Sequence, residues 1–202
     1  MSVRVALVDS GGTNIGSVSY ALERLGATAR LTADPGDILA ADRVLLPGVG
    51  AARAGMTRLH ELGLADVLRE VQAPLLGVCL GMQLLFDRSA EDGGVEALGL
   101  IPGTVDPIRP APGVRVPHMG WNTLTDLVDD PLLVGIEPGQ RAYFVHSYAA
   151  PVGPSTLAAT VHGRALSAVV RSGRHWGAQF HPERSSSLGA QLLRNFMVEV
   201  DR

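Results

Sequence analysis

The run Ala73-Pro74-Leu75-Leu76-Gly77-Val78-Cys79-Leu80-Gly81 constrains the fold of this chain more than any other segment. An apolar stretch leads into Gly-x-Cys-x-Gly, and Met82-Gln83-Leu84-Leu85-Phe86 continues in a helical pattern. A side chain is held on so sharp a strand-to-helix turn only when the residues two before and two after it are small, because strand, turn and first helical turn pass in contact. Gly77 and Gly81 supply that room. The segment therefore predicts a buried parallel strand, an exposed thiol at its carboxyl end and a helix packed back on the sheet. The helix start also presents its dipole to the thiol and favours a thiolate. A lone cysteine is more often a small buried apolar side chain, and the two glycines tip the reading toward a nucleophile.

The first half repeats this alternation. Val3 to Val8 reads as a strand that runs into the turn Asp9-Ser10-Gly11-Gly12. Val18, Ala21, Leu22 and Leu25 recur at helical spacing until Gly26 stops them. Ala27–Leu31, Arg43–Leu46 and Leu75–Val78 follow as strands, with helices near 51–60 and 63–71. Strands alternating with helices predict an open α/β sheet, mostly parallel and flanked by helices. The stretch Gly99 to Asn122 is rich in proline and glycine and predicts surface loop or edge strand. After it, Arg141–Ser147, Thr156–Val161, Ala168–Arg171 and Trp176–Phe180 predict an antiparallel extension, closed by an amphipathic helix from about Leu188 to Val200. No repeat or linker divides the 202 residues, so one domain over 1–202 is expected.

Charge narrows the function. With 17 basic and 20 acidic residues the net charge is −3, and no block of like charges offers a footprint for nucleic acid or an anionic membrane. All the basic residues are arginine, which excludes Schiff-base and P-loop lysine chemistry. The single cysteine permits no intramolecular disulfide, and the apolar run at the N-terminus is too short for a signal peptide or a membrane span. A cytoplasmic protein is expected.

A thiol nucleophile needs a base and donors for an oxyanion. Phe180-His181-Pro182-Glu183 ends a predicted strand, which brings His181 to the carboxyl edge of the sheet, where open α/β folds bind ligands. Glu183 is placed to fold back and orient the imidazole. Alone, His-Pro-Glu is only a strand exit; paired with Cys79, His181 becomes the candidate base. The turn Pro47-Gly48-Val49-Gly50 ends another strand, and the backbone N–H groups of Val49 and Gly50 can join that of Leu80 in an oxyanion hole, although a plain turn would read the same. His118, His146 and His175 lack metal-ligand spacing, and Gly11-Gly12-Thr13-Asn14-Ile15-Gly16 has Thr13 where a dinucleotide fingerprint needs glycine. Neither a metal nor a cofactor is expected.

GVCLGMQLLF around Cys79, PGVG at 47–50 and FHPE at 180–183 resemble the class I, triad-type glutamine amidotransferases, in the same order and over nearly the whole chain. Within that family VPHMGWN at 116–122, YFVHSY at 143–148 and the HPERS ending resemble the glutaminase subunits of imidazole glycerol phosphate synthase. The resemblance implies that Cys79 attacks the side-chain amide of glutamine, with His181 and Glu183 completing the triad. It implies that Gly50, Gln83, His146, Ser147 and Tyr148 hold the substrate. The ammonia released must be used nearby, and the amidotransferase fold accounts for the whole chain. The acceptor site is therefore expected on a partner, which the resemblance implies is the cyclase HisF, a (β/α)₈ barrel, joined as a heterodimer. Asn14, Met119, Trp121, Asn122, Tyr143 and Arg184 are then expected to face it around the ammonia passage. Met119 and Trp121 alternate along an extended run and so share one face. Ser10 and Arg184 depart from the residues usual in the family. The rival readings are the amidotransferase subunits of anthranilate or pyridoxal phosphate synthases, and a regulatory module that keeps the fold without turnover.

Overall fold

A computed structural model describes residues 2–11 and 15–200. In chain order the elements are β1 (Arg4–Val8), α1 (Ile15–Arg24), β2 (Thr28–Thr32), α2 (Pro35–Leu39), β3 (Arg43–Leu46), α3 (Ala52–Glu61), α4 (Leu64–Glu70), β4 (Leu75–Val78) and α5 (Leu80–Leu84). There follow β5 (Phe86–Ser89), β6 (Val95–Glu96), β7 (Ile101–Pro107), β8 (His118–Thr123), β9 (Arg141–His146) and β10 (Tyr148–Ala149). The chain ends with β11 (Thr156–His162), β12 (Arg164–Ser172), β13 (His175–Ala178) and α6 (Ser186–Val198).

Seven strands form the main sheet in the order β11-β12-β13-β4-β3-β1-β2. From β13 to β2 every pairing is parallel, and the hairpin β11–β12 extends the sheet antiparallel from β13. Because helices cover both faces, the inner strands are apolar on both sides: Leu7, Val8, Val44, Leu45, Leu46, Leu75 and Leu76 are all fully buried. One face packs Leu7, Leu45 and Leu76 against α1 and α6 through Leu22, Leu192 and Phe196. The other packs Val8, Val44 and Leu46 against α3, α4 and α5 through Leu59, Leu68 and Leu84. A second sheet, β10-β7-β5-β6, and the antiparallel pair β8–β9 stand beside it.

The alternation of strand and helix in the first half, and the antiparallel extension in the second, are as the sequence predicts. Four differences have local causes. Helix α2 is short, and its start rests on a cap, Asp34 accepting from the Asp37 N–H at 2.9 Å, with Pro35 at its first position. Phe86 is not helical: α5 stops at Leu84, and Phe86 opens β5 opposite Ile101. Within the proline-rich stretch β8 is an edge strand as expected, but β7 is interior, paired on both sides with β10 and β5. Strand β13 ends at Ala178, so His181 sits on the loop beyond it. No helix among the described residues is long and apolar enough to cross a membrane.

Strand order sets the site. β4 and β13 are parallel neighbours, with Val78 opposite Ala178, and the Cys79 N–H continues the ladder to the Ala178 carbonyl at 2.8 Å. The residues that follow both strands therefore emerge side by side at the carboxyl edge of the sheet.

Candidate active site

Cys79 has φ +55° and ψ −111°, a conformation that costs free energy in any residue with a Cβ and is held only by close packing around it. The glycines explain how. A Cβ on Gly77 would lie 2.6 Å from the Gly81 carbonyl oxygen, and one on Gly81 would run into the Leu46 carbonyl oxygen. A Cβ on Gly48 would come within 2.7 Å of the Gly81 backbone nitrogen, so the turn at 47–50 is packed directly on the elbow. The thiol is nearly buried, with its sulfur 3.8 Å from the Val145 carbonyl.

His181 lies beside it. Its Nδ1 meets Glu183 Oε1 at 2.9 Å, and both side chains are buried. Burial by itself would depress the imidazole, but hydrogen bonding and charge from Cys79 and then Glu183 outweigh it and push the group up to about 10. Near neutrality His181 therefore carries a proton that Glu183 holds on one side, with the other ring nitrogen left toward the sulfur. The loop is pinned from behind: the His181 N–H donates to the Tyr143 carbonyl at 2.9 Å. The Ser185 hydroxyl donates to the His181 carbonyl at 2.7 Å and accepts from the Tyr143 N–H at 2.9 Å.

A cavity of about 310 Å³ opens over the pair, and its wall includes every residue expected to form the hole or hold glutamine: Val49, Gly50, Leu80, Gln83, His146, Ser147 and Tyr148. Three further residues line it: Glu91, which lies in no motif, and Pro117 and Val145, which lie inside the motifs at 116–122 and 143–148 but are not singled out by them. Glu91 also braces the wall, accepting from the Ala52 N–H at the start of α3 at 2.6 Å. A larger cavity of about 570 Å³, lined by Asp106, Arg109 and Arg164 among others, contains neither Cys79 nor His181. Size does not locate the chemistry here.

The Leu80 N–H is not free for an oxyanion in this state, since it donates to the Gly48 carbonyl at 3.3 Å. That loop is also tied to the end of β1, where the buried Ser10 hydroxyl donates to the Pro47 carbonyl at 2.6 Å. Ser10 thus has a structural partner.

Met119 and Trp121 project from one face of β8 and are 63% and 46% exposed, a large apolar surface for side chains of their size. Tyr143 on β9 meets Trp121 edge to face at 5.9 Å, and the Arg184 guanidinium lies over the Tyr143 ring at 4.7 Å. Asn122, expected on the same surface, points the other way. Strand alternation sends it inward, where its Nδ2 reaches His118 Nε2 at 3.1 Å and the Val161 carbonyl at 2.9 Å. Asn14 lies outside the described residues. Among the described residues no group of three His, Cys, Asp or Glu side chains is placed to hold a metal ion.

Comparison with known proteins matches residues 6–200 to the family described as glutamine amidotransferase class-I. This chain belongs to the class I glutamine amidotransferases. Among curated relatives, the amidotransferase is 58% identical over 193 residues, 96% of each chain, to "Imidazole glycerol phosphate synthase subunit HisH" of Xanthomonas axonopodis pv. citri (strain 306). It is 54% identical over 197 residues, 98% of each chain, to the protein of the same name from Xylella fastidiosa (strain Temecula1 / ATCC 700964). Among solved structures, the amidotransferase superposes on one described as a glutamine amidotransferase with TM-score 0.75 at 21% identity, covering 98% of this chain and 99% of that one. A putative GMP synthase subunit from Thermoplasma acidophilum gives TM-score 0.74 at 16% identity, covering 100% of this chain and 95% of that one. These two likenesses speak to the fold.

Proposed function

We propose that the chain is the glutaminase subunit of an imidazole glycerol phosphate synthase, acting in histidine biosynthesis. The observation that carries the chemistry is a strained cysteine beside a glutamate-held imidazole at a cavity of about 310 Å³, room enough for an amino acid. Cys79 attacks the carboxamide carbon of glutamine, and the carbonyl oxygen becomes an oxyanion. His181 delivers its proton to the departing ammonia as the oxyanion collapses to a γ-glutamyl thioester. The same imidazole then takes a proton from water, which attacks the thioester, and glutamate leaves with the thiol restored. Glu183 holds the ring in one orientation through both steps and stabilises its charged form.

The oxyanion hole forms only when the Leu80 N–H is released from Gly48 and the turn at 47–50 offers an N–H of its own. The partner that brings this about is the cyclase HisF, a (β/α)₈ barrel, docked on the face of Met119, Trp121, Tyr143 and Arg184. Ammonia must pass to it without meeting bulk water, where it would be protonated and lose its nucleophilicity. The high identity to subunits named HisH favours this reading over the anthranilate or pyridoxal phosphate alternatives, and the complete set Cys79, His181 and Glu183 favours turnover over a purely regulatory role.

The test mixes the chain with the cyclase and its nucleotide substrate, and measures glutamate and imidazole product together. Equimolar glutamine-dependent formation of both is expected. Product formation with ammonia but none with glutamine would overturn the assignment.

A further inference from the structure

Behind the cavity wall runs a chain of hydrogen bonds whose direction can be worked out from either end. At the outer end, Asn122 Nδ2 lies 2.9 Å from the Val161 carbonyl, which can only accept, while its Oδ1 accepts from the Thr123 N–H at 2.8 Å. The same Nδ2 lies 3.1 Å from His118 Nε2, so that nitrogen is an acceptor and His118 carries its proton on Nδ1. His118 Nδ1 then donates to His146 Nε2 at 2.9 Å, and His146 in turn has its proton on Nδ1. At the inner end, His146 Nδ1 meets the Tyr148 carbonyl at 2.8 Å, which again can only accept. The two ends demand the same tautomers.

The chain does not stop there. The Tyr148 carbonyl also accepts from Gln83 Nε2 at 2.8 Å, and the second hydrogen of that amide goes to Gln179 Oε1 at 3.0 Å. Both donors of the Gln83 amide are thus occupied, and its oxygen is what remains to face the cavity. An acceptor in that place suits the ammonium of an amino-acid substrate. Packing holds the middle of the chain: the His118 ring is stacked 4.2 Å from His162 and 4.8 Å from Phe144. Burial keeps His118 and His146 neutral near pH 7, and a proton on either would set a donor against a donor.

We infer that Asn122, His118 and His146 are positioning residues that fix the Tyr148 carbonyl and, through it, the Gln83 amide, so that the inner face of β8 sets the affinity for glutamine. This rests on reading the cavity as the glutamine site. Strand β8 therefore has two duties: Met119 and Trp121 point outward, while His118 and Asn122 point inward to the back of the cavity wall.

The experiment measures glutamate release by the complex with the cyclase for wild type, His118→Phe and His118→Asn. Phenylalanine keeps the stacking and removes both hydrogen bonds; asparagine keeps a donor close to the position of Nδ1. The KM for glutamine is expected to rise about tenfold in His118→Phe with kcat within about twofold, and to stay near wild type in His118→Asn. An unchanged KM in His118→Phe, or an equal loss of kcat in both variants, overturns the inference. Nitrogen-15 spectra of the wild-type imidazoles at pH 7 provide a second readout that needs no variant to fold. Neutral rings protonated on Nδ1 at both His118 and His146 are expected, and an Nε2-protonated or charged ring at either position overturns the chain. A wild-type complex that releases no glutamate would instead bring down the reading of the cavity.

Discussion

At the scale of single residues, His118, His146, His175 and His181 divide by what surrounds each ring. His181 is buried yet raised to about 10, because Cys79 and Glu183 offset the cost of burying its charge. His118 and His146 are lowered to about 3 and about 4, burial being the largest cause and neighbouring histidines adding to it. His175 is lowered in the same sense, mainly by burial. The signs give opposite pH effects. For His181 the folded state binds the proton more tightly than an unfolded group near 6.5, so its contribution to stability is full below that pH and is lost as pH rises through about 10. For His118 and His146 the unfolded state takes the proton first, so stability falls as pH drops from about 6.5 toward about 4. Thermal unfolding followed from pH 7 to pH 4 should show that decline, and a flat Tm over the range would contradict it. Catalysis follows the same logic. Cys79→Ala is expected to abolish glutamine hydrolysis and leave ammonia-dependent synthesis by the partner, since the change is small and the elbow is kept. Glu183→Gln should slow turnover less than loss of His181 and shift the alkaline limb of the rate profile to lower pH, because one of the groups that raises the imidazole is gone. A limb that stays in place would remove Glu183 from that role. The proposed triad could be read in the sequence because each member sits inside a short motif with a mechanism. The chain through His118 could not: its members come from three separated segments, and only the alternation of β8, established by its pairing with β9, reveals which side chains turn inward.

Elements carry a different kind of information. The parallel core was legible because β1, β3 and β4 are short apolar runs ended by glycine or polar turns, a pattern imposed by burial on both faces. Helix α2 and strands β5 to β7 were not, since five residues and a cap leave little periodicity, and β5 follows α5 with one residue between. The elbow makes the strongest demand on sequence. Gly81→Ala would drive a methyl group into the Leu46 carbonyl, so a loss of at least ~2 kcal/mol and a drop in Tm of at least ~4 °C are expected. A variant that melts with the wild type would mean the turn can yield. The neighbouring turn is packed on the elbow at Gly48 but open at Gly50. Gly50 has φ +95° and no atom within 4 Å of where its Cβ would be, while the bond from the Leu80 N–H to Gly48 is long at 3.3 Å. Isolated chain is therefore expected to hydrolyse glutamine at least about 10²–10³ times more slowly than the complex with ligand, since one missing oxyanion donor already costs that much and here both the Leu80 and the turn N–H are withheld. Amide exchange at Leu80, Val49 and Gly50, measured free and in the liganded complex, checks this. Identical protection in both states, together with a slow free chain, would leave the slowness with another cause.

At the scale of the whole molecule, the exposed aromatic patch proposed as the docking face and the cavity beside Cys79 meet at one antiparallel pair, β8–β9. Strand β9 runs beside β8, pairing Trp121 with Tyr143 and His118 with His146, so that the outer aromatic pair and the inward histidine pair alternate on the same two strands. The patch is unusual for a chain with nine aromatic residues in all: Phe144, Phe180 and Trp176 are fully buried, whereas Trp121 is left 46% exposed beside an exposed Met119. Arg184, one residue past Glu183, stacks on Tyr143, so the loop that carries His181 and Glu183 touches the patch directly. Large apolar and aromatic side chains with an arginine are the composition of an interface centre, and truncating such an anchor typically costs about 2 kcal/mol or more. Trp121→Ala is expected to raise the Kd for the cyclase about thirtyfold. It should also loosen the seal around the ammonia passage, so that more glutamine is consumed per imidazole product even when the partner is saturating. Measuring both separates two roles. A weaker Kd with an unchanged ratio would make Trp121 an anchor only, and a changed ratio at unchanged Kd would make it part of the seal. If neither moves, the exposed face of β8 is not where the partner docks, and the inward residues of that strand would act on glutamine independently of it.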